Sequence, residues 1–504
     1  MNPKPAGKQL LMVMTAVIVA TCAHRAARGE SIAWRPTAGG TYAWQIATNW
    51  WGNQVPGPAD HALLTNTLAG SQTITSALSI AVANLTVNWA GANVGTIQMK
   101  SDNTTFTAGD TALIGTQAVF DLAQGGNSAN QRLVTLNLLM TGNGRITCAG
   151  GGSGSQVVVS NAFSNAAGTV IDGTGRAGLN VLFEADAPVT NNSTLRWTCS
   201  STGGAPALKV KNRNQLVNNG TLGVQYALGG NYFSRGSLTI EATLINNGTV
   251  AFTNASTHAT GATHNMANLT VASGAAVINN GVWILHARAS SQANRVQITQ
   301  TNGDFVNAGL LSSTIDGSGT TSNTNLFTLS ATGGTFTNAP GGEVRVVASS
   351  LAIRADQHIN AGAISILGAS RFLAQTRTGT RGAITNAAGG KVTFTGKGLL
   401  QANTIYFASG SSLEVTLSEA APDGVGRLDV GETLTFEANV PLRVTLAEGV
   451  PVTPDVGWVL AQSTNVISGL PVAPSGYQVA VEGDSPMQLV LYPRASRGTV
   501  IMIR

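Results

Sequence analysis

One short phrase, repeated along most of the chain, restricts the fold more than any other feature: an apolar residue, any residue, then Asn, followed by a small or polar stretch that usually contains Gly. It occurs at Phe163-Ser-Asn165, Val189-Thr-Asn191, Leu216-Val-Asn218, Leu244-Ile-Asn246, Val277-Ile-Asn279, Phe305-Val-Asn307, Phe336-Thr-Asn338, His358-Ile-Asn360 and Ile384-Thr-Asn386, where His358 alone breaks the apolar rule. Successive Asn residues lie 26, 27, 28, 33, 28, 31, 22 and 26 apart. A loose but persistent period of this size marks a solenoid, in which each repeat makes one turn and insertions fall in loops. Asn suits a sharp turn because it tolerates left-handed backbone, and Gly is expected to follow it for the same conformational freedom. The Asn amide also donates and accepts, so identical amides on turns about 4.8 Å apart would join into a ladder. Between the turns, runs such as Leu238-Thr-Ile-Glu-Ala-Thr-Leu244 and Lys391-Val-Thr-Phe-Thr-Gly396 alternate with period two and place one face inward.

The composition agrees with a thin core repeated many times. Of 504 residues 60 are Gly, only 10% are charged and 5% aromatic, yet 43% are hydrophobic, mainly Ala, Val, Leu and Ile. Hydrophobicity at that level with so little charge excludes intrinsic disorder. No amphipathic 3.6-residue pattern stands out beyond the first residues. The pentapeptide Ala-Asn-Leu-Thr-Val occurs at 83–87 and again at 267–271, which suggests that the array begins near residue 75. The expected fold is all-β, a right-handed parallel β-helix with an N-terminal cap and a β-rich C-terminal end. Its expected divisions are a signal peptide over 1–29, a Trp-rich cap over 30–74, the array over 75–405, a closing segment over 406–497 and a basic tail over 498–504. At about 4.8 Å per turn, roughly twelve turns make a rod about 60 Å long.

Residues 1–29 read as a secretory signal, with Lys4 and Lys8 ahead of the apolar run Leu10 to Ala23. That run is shorter than the roughly 20 residues of a membrane span, so no transmembrane segment is expected in the mature chain. Val19-Ala20-Thr21-Cys22 loosely resembles a lipobox, with Thr21 where a small Gly, Ala or Ser belongs. The pI of 9.3 comes largely from this leader: without residues 1–29 the balance is 24 − 23 = +1. A nearly neutral chain has no broad field for polyanions, so no nucleic-acid partner is expected. Lys209, Lys211 and Arg213 alternate at strand period and read as one solvated face. Cys148 and Cys199 would pair only if neighbouring turns bring their Cα atoms within about 7 Å; two small buried thiols are the alternative.

Four Trp (Trp34, Trp44, Trp50 and Trp51) gather in residues 31–62, where they would either cover the open end of the first turn or form a sugar-stacking platform. The stretch Asn49-Trp50-Trp51-Gly52-Asn53-Gln54-Val55-Pro56-Gly57-Pro58-Ala59-Asp60-His61-Ala62 resembles the N-terminal element of autotransporter-type β-strand-repeat passengers and of related exported proteins with C-terminal sorting tags. Ser412–Leu417, Arg427–Thr435, Val440–Leu446 and Gly457–Ala461 look like the closing strands of such passengers. The resemblance implies an exported surface protein on the extracellular side of the outer membrane, structural or adhesive in role. A translocating barrel would need many further strands of about 9–11 residues, and only 80 residues follow Gly424. The ending Pro493 to Arg504 reads as a last strand or a docking tag.

β-Helices include polysaccharide lyases and glycosidases, so carboxylates on one face deserve a search. Glu184 with Asp186, and Arg354 with Asp356 and His358, fall at strand period two and would share a face. Such sets are usually the outward face of a strand, and no catalytic, cofactor-binding or metal residue is assigned. Asp172-Gly-Thr-Gly and Asp316-Gly-Ser-Gly lack the further carboxylates of a calcium loop and read as Asp-Gly turns. His61, His258, His264 and His286 read as surface or turn residues without arranged partners. The expected partners are extracellular glycans, matrix or neighbouring surface proteins, with no cofactor. A polysaccharide-acting enzyme and a carbohydrate-binding surface protein are the alternatives.

Overall fold

The structure, a computed structural model, describes residues 29–122, 130–148, 155–175, 179–184, 189–199, 207–210, 215–226, 236–240, 243–254, 265–271, 275–288, 296–301, 303–316, 324–330, 334–452 and 457–494. These form two compact units, Met1–Val170 and Ile171–Arg504, and each is a parallel β-solenoid. The two single-turn 3-10 helices, Ala47–Asn49 and Trp51–Asn53, are the helical elements among the described residues.

In the first unit the strands Ser31–Ala33, His61–Leu64, Ile80–Val87, Thr105–Ile114, Arg132–Met140 and Gln156–Asn165 stack in register, each parallel to the next. Gly40–Ala43, Gln72–Ser76, Gly95–Met99, Ala118–Leu122 and Arg145–Cys148 stack as a second sheet. Alternation decides which side chains enter: in Gly95–Met99, Ile97 and Met99 are buried while Thr96 and Gln98 are half-buried. The longer strands serve two faces. Their register shifts between Val82 and Asn84, and between Ala108 and Thr111, where an extra residue bends the strand around a corner. Among the described residues coil stacking starts at Ser31, inside the segment expected to be a cap.

In the second unit two separate strands stand where the first has one bent strand. One turn runs Asn180–Phe183, Val189–Asn191, Thr194–Cys199, and the next runs Ala207–Val210, Leu216–Asn218, Thr221–Tyr226, all in parallel register. Bent strands return at Leu399–Phe407 and Arg427–Phe436. The parallel order ends where Trp458–Ser463 and Tyr477–Glu482 each pair antiparallel with Met487–Pro493.

The expected ladder is present. Nδ2 of Asn191, Asn218, Asn246, Asn279, Asn307, Asn338 and Asn360 each donates to Oδ1 of the Asn one turn on, ending at Asn386, over 2.5 to 2.8 Å. The second amide proton goes to a backbone carbonyl of that next turn, as from Asn218 to Thr249 O at 3.0 Å and from Asn338 to Ala363 O at 2.9 Å. All eight side chains are at most 1% exposed. Burying an amide is tolerable only when its groups are satisfied. Here one residue type, repeated, supplies its own partners.

The expected backbone reason holds for Gly168, Gly341 and Gly389, which follow Asn165, Asn338 and Asn386 with φ of 92°, 84° and 81°, and is corrected for the ladder Asn residues and for the glycines of four other repeats. None of these Asn has positive φ, nor do Gly220, Gly248, Gly281 or Gly309. Each Asn instead closes a strand. The glycines are required by crowding: a Cβ at Gly248 would fall on the carbonyl oxygen of Gly220, and one at Gly281 on that of Gly248. Those same carbonyls accept the N–H of Thr249 and of Val282, both at 2.8 Å, so the turns cannot separate to make room.

A second, exposed amide column runs outside the first, in which Nδ2 of Asn219 donates to Asn192, that of Asn247 to Asn219 and that of Asn280 to Asn247, at 2.8 to 3.0 Å. Its donors point back along the chain, whereas those of the buried column point forward.

Two further expectations change, and a third, the turn at Asp316, lies mostly outside the described residues. Asp172 lies within the strand Val170–Gly175, buried and paired with Arg196 at 2.5 Å, and is not in a turn. Asp316 ends the strand Leu310–Asp316, and the rest of its loop is outside the described residues. The two Ala-Asn-Leu-Thr-Val copies hold different positions: Val87 ends its strand at a corner, whereas 267–271 is followed by the strand Ala276–Asn279 before the corner comes. Cys148 is buried, but the Cys199 side chain, and with it their pairing, lies outside the described residues, as do the side chains of Lys209, Lys211 and Arg213.

Candidate functional site

The candidate set of Arg354, Asp356 and His358 dissolves in the structure. The strand Ser350–Arg354 ends before Asp356, and Gln357–Asn360 begins after it, so a corner interrupts the expected alternation. Arg354 stays half-buried outside and donates through Nε to Gln375 Oε1 at 3.1 Å, Asp356 is exposed, and His358 turns inward. There His358 stands in register between Phe336 and Ile384, taking the place of an apolar residue in the column. Its ring nitrogens meet the carbonyl oxygens of Ala383 at 3.0 Å and Ile353 at 2.9 Å. Burial lowers the imidazole pKa, against the opposing pull of those two carbonyls. A hollow of about 370 Å³ opens beside Asp356 and Thr385, but its histidine is held by backbone and is not aimed at a carboxylate. Glu184 follows the strand Asn180–Phe183, while Asp186 is outside the described residues.

Most of the N-terminal Trp cluster is interior. Trp34, Trp44 and Trp50 are at most 1% exposed, and they pack edge to face, Trp34 on Trp50 at 4.8 Å and Trp44 on Phe106 at 5.3 Å between centroids. Trp34 donates its indole N–H to Gln72 at 3.1 Å, and Trp50 donates to the Trp44 carbonyl at 2.9 Å. Trp50 is therefore closed to any sugar. Trp51, next in sequence, is 62% exposed.

The second unit has one basic cleft that sequence reasoning missed. Arg371, Leu399 and Arg427 each open a strand and stand in register on three successive turns. Together with Ala369, Lys397, Gly398, Asp423 and Val425 they line a cleft of about 240 Å³. The signal was present, since 371, 399 and 427 are spaced by 28 residues twice, but no Asn marks this face. Lys397 reaches Glu419 at 2.8 Å and Asp423 at 3.8 Å, and its hydrogen bond to Glu419 raises its pKa. A lysine that removes a proton at neutral pH needs the opposite shift. The cleft brings two arginines to a surface where an anion can be held, with Asp423 beside them.

His61 and His286 have partners after all. His61 Nε2 lies 2.9 Å from Thr86 Oγ1, and burial lowers its pKa; His286 Nδ1 lies 2.8 Å from Thr314 Oγ1, directly across in register. His258 and His264 lie outside the described residues. Asp429 accepts from Arg381 at 3.0 and 3.2 Å and from Gln401 at 2.6 Å, a strut tying three turns together. Among the described residues no three His, Cys, Asp or Glu converge as a metal site would need. No helix is long and apolar enough to cross a membrane among the described residues. No protein-family profile and no curated protein matches this chain.

Proposed function

We propose that the chain is an exported structural or adhesive β-solenoid of the bacterial cell surface, similar in kind to autotransporter-type passengers. The observation that carries this reading is the use of side chains for stacking: interior positions are filled mainly by apolar side chains, with a column of amides bonded turn to turn. A repeated column of this kind presents a long flank of Thr, Ser, Asn and Ala, suited to contact with glycans, matrix or copies of itself. The apolar leader of residues 10–23 supports export. Surface labelling of intact cells tests it: the chain should be modified by a membrane-impermeant reagent, and deleting residues 1–29 should abolish that modification. Retention of the full-length chain in the cytoplasm would overturn the reading.

The alternative of a polysaccharide-acting enzyme draws its support from the cleft of Arg371, Lys397, Asp423 and Arg427. Release of reducing or unsaturated ends from an acidic glycan, lost in Asp423→Asn, would favour it over a purely structural role.

A further inference from the structure

Seven of the eight Trp side chains, at positions 34, 44, 50, 89, 197, 283 and 458, are no more than 2% exposed, and the eighth, Trp51, is 62% exposed. Its neighbour Trp50 fills the interior, so the chain places two adjacent indoles on opposite sides of one surface. The backbone just after Trp51 is left-handed at two consecutive residues, Gly52 with φ 79° and Asn53 with φ 53°. The Arg35 guanidinium lies over the Trp51 ring, 5.5 Å from its centroid. Arg35 is itself exposed and is anchored by its backbone N–H to the Asn49 carbonyl at 2.8 Å. It steadies the ring, and its own charge stays at the surface beside it. Ile46 is 50% exposed, and the amides of Asn53 and Gln54 follow at the surface.

We infer that Trp51 is the stacking platform of a saccharide site, with Arg35 selecting a sugar that carries a carboxylate. A second protein would want roughly 800 Å² on each partner with a connected apolar centre, far more than Trp51 and Ile46 supply. An interfacial lipid anchor uses a whole apolar helix face with basic residues around it. Nucleic acid demands a basic groove, and the chain after residue 29 has a balance of only +1. A pyranose needs one flat ring, amides for its hydroxyls and a cation for its acid group. All three are here. The inference deepens the surface-protein reading and rests on it for the glycan-rich surroundings in which such a site has a use.

Acrylamide quenching of the full chain isolates Trp51, because the other indoles are buried. Oligogalacturonate should protect this emission, with a neutral oligoglucose protecting it only at higher concentration. Trp51→Ala should remove the quenchable component and weaken binding about tenfold or more by calorimetry. Trp51→Phe should retain part of the affinity, and Arg35→Gln should erase the preference for the acidic sugar while neutral binding persists. Binding unchanged in Trp51→Ala overturns the inference, as does protection by neither sugar. Protection that instead follows protein concentration or added lipid vesicles also overturns it. Surface labelling is read without any sugar, so loss of this site and loss of the surface-protein reading are told apart.

Discussion

The same corner of the coil is built in two chemistries. In the first unit the last strand residue before it is Leu64, then Val87, Ile114 and Met140 on successive turns, with Asn165 in register after them. In the second unit that place belongs to the Asn column from Asn191 to Asn386. The backbone is indifferent to the change: the residue after the corner donates its N–H to the corner carbonyl of the preceding turn in both, Gly115 to Val87 and Asn247 to Asn218. What differs is how the interior is satisfied. Aliphatic side chains contribute burial, about 1.5–3 kcal/mol each, and accept any apolar neighbour. An amide contributes little net, but leaving its partner unsatisfied costs about 1–3 kcal/mol per group. Aliphatic turns are stabilised by area, and amide turns are held to one register.

The sharpest way to break that contrast is Ile114→Asn. It loses aliphatic burial and sets an amide between Val87 and Met140, which offer no matching amide, so a loss of about 4 kcal/mol is expected. Urea unfolding followed by circular dichroism would read it. A loss under about 1 kcal/mol would mean the two columns are interchangeable. The reverse change, Asn279→Leu, strands the Asn246 donor and the Asn307 acceptor and should cost about 2–4 kcal/mol. Hydrogen exchange should locate the damage in the adjoining turns, because a repeat array transmits strain mainly to its neighbours. The exposed column is the control, where Asn247→Ala should cost less than about 1 kcal/mol since water replaces its partners. Equal losses for Asn279→Leu and Asn247→Ala would remove burial as the source of the difference.

His358 offers the smallest and most selective probe, a titratable side chain standing in an apolar column. Burial lowers its folded pKa below the ordinary 6.5, so the unfolded chain binds the proton more tightly. Its contribution is intact above pH 6.5 and is lost as pH falls from there through the depressed folded value. His61, lowered by burial too, acts in the same direction. Unfolding midpoints between pH 8 and pH 4 should show this acid limb, and His358→Phe should reduce it while fitting between Phe336 and Ile384. An unchanged pH profile in that variant would show that the imidazole is not what acid attacks.

The repeating Asn was enough to reveal the coils of the second unit and their ladder, because a buried amide has few substitutes and leaves a visible period. The first unit hid its register because Leu64, Val87, Ile114 and Met140 differ in identity while doing one job. His358 was misjudged because two residues of corner, Ala355 and Asp356, shift the phase of alternation without altering the spacing that sequence reading relies on. Glycine after Asn was foreseen for a cause that holds at Gly168, Gly341 and Gly389; at Gly220, Gly248, Gly281 and Gly309 the backbone is ordinary, and the constraint comes from a carbonyl one turn away that no local pattern reveals. Trp50 and Trp51 could not be separated by composition, since only the bridge from Trp34 to Trp50 fixes which of the two faces in.

The Gly220, Gly248, Gly281 and Gly309 stack has a consequence for how such a chain can change in length. From Gly248 on, each member meets the carbonyl of the glycine one turn before it and presents the same surface to the one above. A whole turn cut from one glycine to the next would leave both severed surfaces able to rejoin, whereas cutting part of a turn would misplace a side chain against that carbonyl. Genes of this kind would then lengthen or shorten in units of complete turns.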